Sequence, residues 1–170
     1  MVGREGAGAA AGGGDAVEAA EEKTEFDLFL ADVPADKKIA ILGFAFKSNT
    51  NDTRQSPSIQ ICKDLLLEGA EIAIYDPKVE EDKMENDLKS VSYEVEAKWK
   101  RNDSIEEATK DSDAIVVLTE WKEFYNINWD FIYTIMRKPS WVFDSRSIIS
   151  QEEVIKANLN FWRIGDGTNI

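Results

Sequence analysis

From Lys38 onward the chain alternates short apolar runs with amphipathic stretches, and this alternation constrains the fold more than any other feature of the sequence. Runs that are apolar at every position, such as Ile39-Ala40-Ile41-Leu42 and Ala114-Ile115-Val116-Val117-Leu118, suit strands of a parallel sheet covered on both faces. Strands with one wet face would alternate apolar and polar residues instead. Strands are expected at residues 38–44, 71–75, 92–96, 113–118, 140–144 and 161–164, the third having the least regular pattern. Helices are expected between them, at 56–69, 104–110, 128–136 and 150–157. Ser56 before Pro57 marks the start of the first helix and Gly69 its end. Ser104 with Glu107 three residues later has the form of a capping box.

Six strands joined by crossover helices make an α/β domain: a Rossmann-like, doubly wound, mostly parallel sheet with helices on both faces. Ligands of such sheets sit beyond the carboxyl ends of the strands, near the point where strand order reverses. A chain of 170 residues has room for one such domain, expected to span residues 38–166. Residues 1–14 are nearly all Gly and Ala, and residues 15–37 are acidic, with an apolar patch at Phe26, Leu28, Phe29 and Leu30. Residues 1–37 are therefore expected to be disordered or loosely docked, with 167–170 as a tail.

Charge narrows the partners. With 20 Lys and Arg against 33 Asp and Glu, the net charge of −13 repels nucleic acid and anionic membrane surfaces, and neither is expected as a partner. An anionic ligand would have to be met by a local group of cations. The absence of histidine removes the commonest acid/base side chain near neutral pH. A single cysteine, Cys62, excludes an internal disulfide and a cysteine-based zinc site, and no metal is expected. It also fits a reducing compartment, so the cytoplasm is the expected location. There is no run of 18 apolar residues, nor the charged-then-apolar order of a secretory signal at the N-terminus. Cys62 shares a helical face with Ile59, Leu65 and Leu66, and is expected to be a core residue rather than a nucleophile.

Residues 43–58, GFAFKSNTNDTRQSPS, follow the first strand. Lys47 and Arg54 bring two cations to that rim, Ser48, Asn49, Thr50, Asn51, Ser56 and Ser58 add small donors, and the helix behind them offers free backbone N–H groups. The segment is either a phosphate or pyrophosphate seat or a plain strand-to-helix link. It lacks the three glycines of G-x-G-x-x-G, having only Gly43, and Phe44 and Phe46 would block the close approach of a dinucleotide. Asp76 ends the second strand, either as a ribose-binding acid or as turn chemistry with Pro77. Thr119-Glu120-Trp121 follows the fourth strand and Asp144-Ser145-Arg146 the fifth. Arg146 is then a third cation on the same rim, or a surface ion pair. Trp99, Trp121, Trp129, Trp141 and Trp162 read as core or rim packing, without the basic-aromatic interleaving of a nucleic-acid surface.

In order and spacing, GFAFK, T-x-D-T-R-x-S-P-S, YDP, TEW and FDSR resemble the C-terminal UDP-binding domain of UDP-glucose 6-dehydrogenases, over about residues 38–166. The resemblance implies a nucleotide-sugar-binding domain of an oxidoreductase. In the complete enzyme, two NAD-dependent hydride transfers turn UDP-glucose into UDP-glucuronate. By position, Phe46, Lys47 and Arg146 would bind the UDP-sugar, and Arg54 would reach the pyrophosphate of NAD held mainly by another domain. No catalytic residue is implied, because Cys62 does not lie in a segment like that of the family's catalytic cysteine. The isolated chain is expected to be inactive, with a separate NAD-binding chain as a partner. The alternative is a non-catalytic interaction or regulatory module that keeps the fold. Ser48, Asn49 and Asn51 stand where the family usually has Lys, Pro or Asp, and Ser145 stands where Gly is common, which is expected to limit positive φ there. Residues 17–42 resemble the hinge and first strand of the bacterial or plastid ribosomal stalk protein.

Overall fold

The computed structural model describes residues 36–93 and 95–165. In chain order these form β1 (Lys38–Leu42), α1 (Pro57–Leu67), β2 (Glu71–Tyr75), α2 (Glu81–Leu88), β3 (Trp99–Arg101), α3 (Ile105–Thr109), β4 (Ala114–Val117), α4 (Trp129–Ile135), β5 (Trp141–Asp144), α5 (Gln151–Lys156) and β6 (Asn160–Arg163). Single turns of 3-10 helix lie at Val91–Tyr93 and Lys122–Asn126. The strands form one sheet in the order β3-β2-β1-β4-β5-β6, and every neighbouring pair is parallel. The sheet is thus doubly wound from the centre outward, as the apolar runs imply.

Burial follows position in the sheet. Ile39, Ala40, Ile41 and Leu42 of central β1 are 0 % exposed, so both faces of that strand are covered. Burying an Ile or Leu side chain contributes about 1.5–3 kcal/mol, and the strand residues are joined in the core by helix side chains such as Leu65, Leu66, Met84, Leu88 and Ile132. The edges are short: β3 has three residues and β6 four, and neither is fully buried. Short edges leave little unpaired backbone for another strand to join. At the amino end of the sheet Asp113 accepts from the Lys38 N–H at 2.9 Å and from Arg137 at 3.1 Å, fastening the starts of β1 and β4.

The caps form as the sequence implies. Ser56 accepts the Ser58 N–H with Pro57 at the first helical position of α1, and Ser104 accepts the Glu107 N–H at the start of α3. Glu107 reaches back to the Asp103 N–H at 3.1 Å, one residue earlier than a strict capping box.

The third strand differs from its expected position. Residues 92–96 alternate polar and apolar side chains, but Tyr93 is 85 % exposed and begins no ladder. The edge strand is instead Trp99–Arg101, where Trp99 packs on the core and the backbone pairs with Ile72–Ile74. A period of two in a polar context carried too little burial to specify a strand. Helix α2 has no counterpart among the expected helices. Its sequence EDKMENDL is polar except for Met84 and Leu88, one turn apart, and those two side chains are its buried face. The segment assignments for residues 1–35 and 166–170, including most of the 17–42 resemblance to a ribosomal stalk protein, lie outside the described residues.

Candidate functional site

Strand order reverses between β1 and β4, so the loops after β1, β4 and β5 meet at one rim of the sheet. The first residues beyond β1, Gly43 to Ala45, are buried without belonging to a strand. A buried irregular segment must satisfy all its backbone groups, and here every one has a partner. The Gly43 N–H donates to the Tyr75 carbonyl at 2.8 Å. Phe44 and Ala45 donate to the Asp76 carboxylate at 2.8 and 2.9 Å. In return the carbonyls of residues 43, 44 and 45 accept the hydroxyls of Ser58 at 3.2 Å, Ser56 at 2.9 Å and Thr119 at 2.8 Å. Gly43 has φ +95°, and a Cβ there would lie 2.4 Å from the Thr119 Cβ, so no other residue fits.

Asp76 is 0 % exposed and organises this end of the sheet. Its second oxygen accepts the Lys78 and Val79 N–H groups at 2.9 and 3.0 Å, and the indole of Trp121 donates to the first at 3.1 Å. Of the two roles open to it from the sequence, turn chemistry is the one it performs. Asp144 does the same at the end of β5, accepting from the Arg146 and Ile149 N–H groups, each at 2.9 Å.

These bonds correct the expected phosphate seat in one respect. Ser56 and Ser58 are buried and turned inward onto carbonyls, so they are not ligand donors, and the N–H groups just beyond β1 already hold a carboxylate. Any anion must be met farther out, by side chains of the loop that follows.

That loop is closed by the Phe46 N–H donating to the Asp52 carbonyl at 2.8 Å, with Asn49 in the left-handed region at φ 65°. Phe46 and Lys47 are exposed. Lys47 has no ion-pair or hydrogen-bond partner among the described residues. Arg54 is bound to Asp52 through Nε at 3.0 Å and Nη2 at 2.7 Å, and its side chain is 86 % exposed. Hydrogen bonds from the Arg54 side chain and backbone hold the Asp52 carboxyl far below the usual carboxylate range.

Glu120, on the loop after β4, links the loops on either side. Its Oε2 accepts Arg146 Nε at 2.8 Å and also Arg146 Nη2, while its Oε1 takes the Ser48 N–H at 3.4 Å. Partial burial works to raise the Glu120 carboxyl, but bonds from Arg146, its own backbone and Ser48 outweigh it and leave it below the ordinary value. The bridge ties the loop after β1, which carries exposed Phe46 and Lys47 just before Ser48, to Arg146 on the loop after β5. Arg54 lies on the same loop but is turned to Asp52 and makes no bond to Arg146. Glu120 was visible in the sequence only as part of TEW, without a role, and an acid flanked by two cation-bearing loops was the signal.

Ser145 does not need the conformation expected of a glycine. Positive φ falls on Ser147, at 56°, and Ser145 donates both its N–H and its hydroxyl to the Val117 carbonyl, at 3.2 and 2.7 Å. Cys62 is 0 % exposed and burial pushes its thiol well above the ordinary range, which removes it as a nucleophile. Among the described residues no group of acids and thiols could hold a metal ion, and no helix is long and apolar enough to cross a membrane.

Comparison with known proteins matches residues 40–151 to the model of the UDP-glucose/GDP-mannose dehydrogenase family, UDP binding domain. The UDP-glucose 6-dehydrogenase of Caenorhabditis elegans is 43 % identical over 132 residues, covering 76 % of this chain and 27 % of that protein. That of Drosophila melanogaster is 42 % identical over 136 residues, covering 77 % and 29 %. Among solved structures, a UDP-D-ManNAc dehydrogenase from Pyrococcus horikoshii aligns with a TM-score of 0.63 at 29 % identity, over 84 % of this chain and 29 % of that one. The chain therefore spans under a third of the length of the relatives it matches.

Proposed function

Because the chain belongs to the UDP-glucose/GDP-mannose dehydrogenase family through its UDP binding domain, we propose that it binds the diphosphate of a nucleotide sugar at the rim shared by the loops after β1, β4 and β5. The observation that carries this reading is the Glu120 bridge, which draws the loop bearing Phe46 and Lys47 up to Arg146. A guanidinium and an ammonium at one crevice can receive a diphosphate from two sides despite the net charge of −13. Lys47 contributes a point charge, Arg146 a planar donor fork, and exposed Phe46 an apolar wall for the sugar or base. UDP-glucose is the substrate proposed from the resemblance.

NAD is a different matter. A dinucleotide pyrophosphate needs backbone N–H groups beyond the first strand, and here Phe44 and Ala45 give theirs to Asp76 while Thr119 fills the space above Gly43. These residues do not fit that group. What this chain offers toward a cofactor held by another domain is Arg54, exposed and exchangeable from Asp52. The oxidation of the sugar then requires catalytic groups beyond those of this domain, since the one thiol is buried and no histidine is present. The chain alone is proposed to bind substrate without turning it over, in a cytoplasmic enzyme whose NAD-binding part is supplied by another segment or chain.

Calorimetric titration with UDP-glucose tests the assignment. Wild type should bind, and Arg146→Ala should weaken binding about tenfold or more, the scale of a charge-assisted hydrogen bond. Equal affinity of the two would overturn the role of Arg146. The ion pairing of Arg54 and Arg146 within the chain favours a second reading, a module that keeps the fold without the ligand. Failure of wild type to bind UDP or any UDP-sugar, with its fold intact by circular dichroism, would establish it.

A further inference from the structure

Arg146 is not waiting open for a ligand: one carboxylate oxygen of Glu120 takes two of its guanidinium N–H groups, and the other oxygen takes the Ser48 N–H across the crevice. A carboxylate that receives a guanidinium and a backbone N–H from opposite sides is held as a ligand phosphate oxygen would be. Beyond these bonds the Glu120 side chain is held only by its own backbone, and about a third of it is exposed, so it can swing out when they are replaced.

We infer that Glu120 is an internal counter-anion that occupies the phosphate position between Arg146 and Ser48 and is displaced when the diphosphate binds. The inference rests on the nucleotide-sugar reading above and adds to it a residue that sets selectivity. In the free protein the latch neutralises Arg146 and keeps the loops after β1 and β5 joined. A ligand must replace the bonds Glu120 makes, which a diphosphate does with several charged oxygens and a neutral nucleoside does not. Glu120 thereby works against weakly charged ligands, at the cost of some affinity for the right one. Asp52 on Arg54 is a poorer instance, because that pair is two residues apart on one loop and joins nothing.

Two simpler roles give different expectations. If Glu120 only aimed Arg146 for the ligand, its loss would weaken binding. If it were a surface ion pair with no bearing on the crevice, its loss would change nothing.

The test is titration of the full chain with UDP, comparing wild type, Glu120→Gln, Arg146→Ala and the double variant, each checked by thermal melting. Glu120→Gln keeps size and an acceptor while removing the charge; it should bind UDP about three- to tenfold more tightly, the scale of one partly solvated charge interaction. In the Arg146→Ala background the same change should gain less, because the latch acts through that guanidinium. In nitrogen-15 spectra, UDP should shift the Arg146 Nε–H and Ser48 amide signals of wild type together, and uridine should not. Glu120→Ala serves if the Gln variant fails to fold. An affinity for UDP unchanged or weakened by loss of Glu120, with wild type binding and Arg146→Ala weaker, would overturn the latch and leave the site standing. No UDP binding by folded wild type would overturn both.

Discussion

The indole N–H of Trp121, on the loop after β4, donates at 3.1 Å to Oδ2 of Asp76, the residue that follows β2, so the two strands flanking β1 are tied together across its end. The same oxygen holds the Phe44 and Ala45 N–H groups beneath that tie. Replacing Asp76 by Asn keeps its shape but puts an amide NH2 against N–H donors. Asp76→Asn should lose about 3 kcal/mol, as for a buried polar group left facing its own kind, and should change Trp121 fluorescence in the folded state. Urea unfolding with an unchanged slope would measure the first, and emission spectra the second.

Gly43 offers a sharper steric case. An alanine Cβ would stand 2.4 Å from Thr119 Cβ and 2.5 Å from its Oγ1, at a φ of +95°. Gly43→Ala should cost about 2–4 kcal/mol, since neither the fully bonded backbone of residues 43–45 nor a buried threonine can give way cheaply. Gly165 has φ +87° with nothing within 4 Å of the added carbon, so Gly165→Ala tests the backbone term alone and should cost about 1 kcal/mol.

Acid should weaken the Glu120–Arg146 link in a defined direction. Because the Glu120 carboxyl is held below its ordinary value of 4.5, the stability it adds is complete above that value and is lost as pH falls through its folded value. With a third of each side chain exposed, that contribution is at most about 1 kcal/mol. Melting curves of wild type and Glu120→Gln should differ slightly near neutrality and converge at low pH. A constant gap down to acid would show that the charge is not what stabilises the link.

Cys62 should be chemically silent in the native protein. It is fully buried and its thiol is pushed up by burial, so reaction with a thiol reagent requires opening of the core. The labelling rate should rise with urea in step with unfolding, and Cys62→Ser should destabilise by about 1–2 kcal/mol.

The parallel direction of the strands was legible because the apolar runs of β1 and β4 leave no wet face for an antiparallel sheet. Helix starts at Ser56 and Ser104 were legible because capping is a local interaction. Residues 92–96 misled because alternation signals a strand only when one set of side chains is buried, and Tyr93 is not. At the rim, the sequence displayed donors and charges but not their directions. Ser56 and Ser58 read as ligand donors, yet whether a hydroxyl faces a ligand or a carbonyl is decided by the chain closing over Gly43 and Phe44. Glu120 stayed without a role because its partners are 72 residues earlier and 26 later, a pairing that only the sheet brings about.

The fastening of residues 43–45 draws on side chains from outside the loop that follows, namely Asp76, Ser56, Ser58 and Thr119. Positions 47 to 51 therefore hang from a support that does not depend on what they are. Side chains at Ser48, Asn49 and Asn51 can thus be exchanged without unfolding the domain, whereas a change at any of the four supporting residues removes an anchor of the backbone from which the loop is hung.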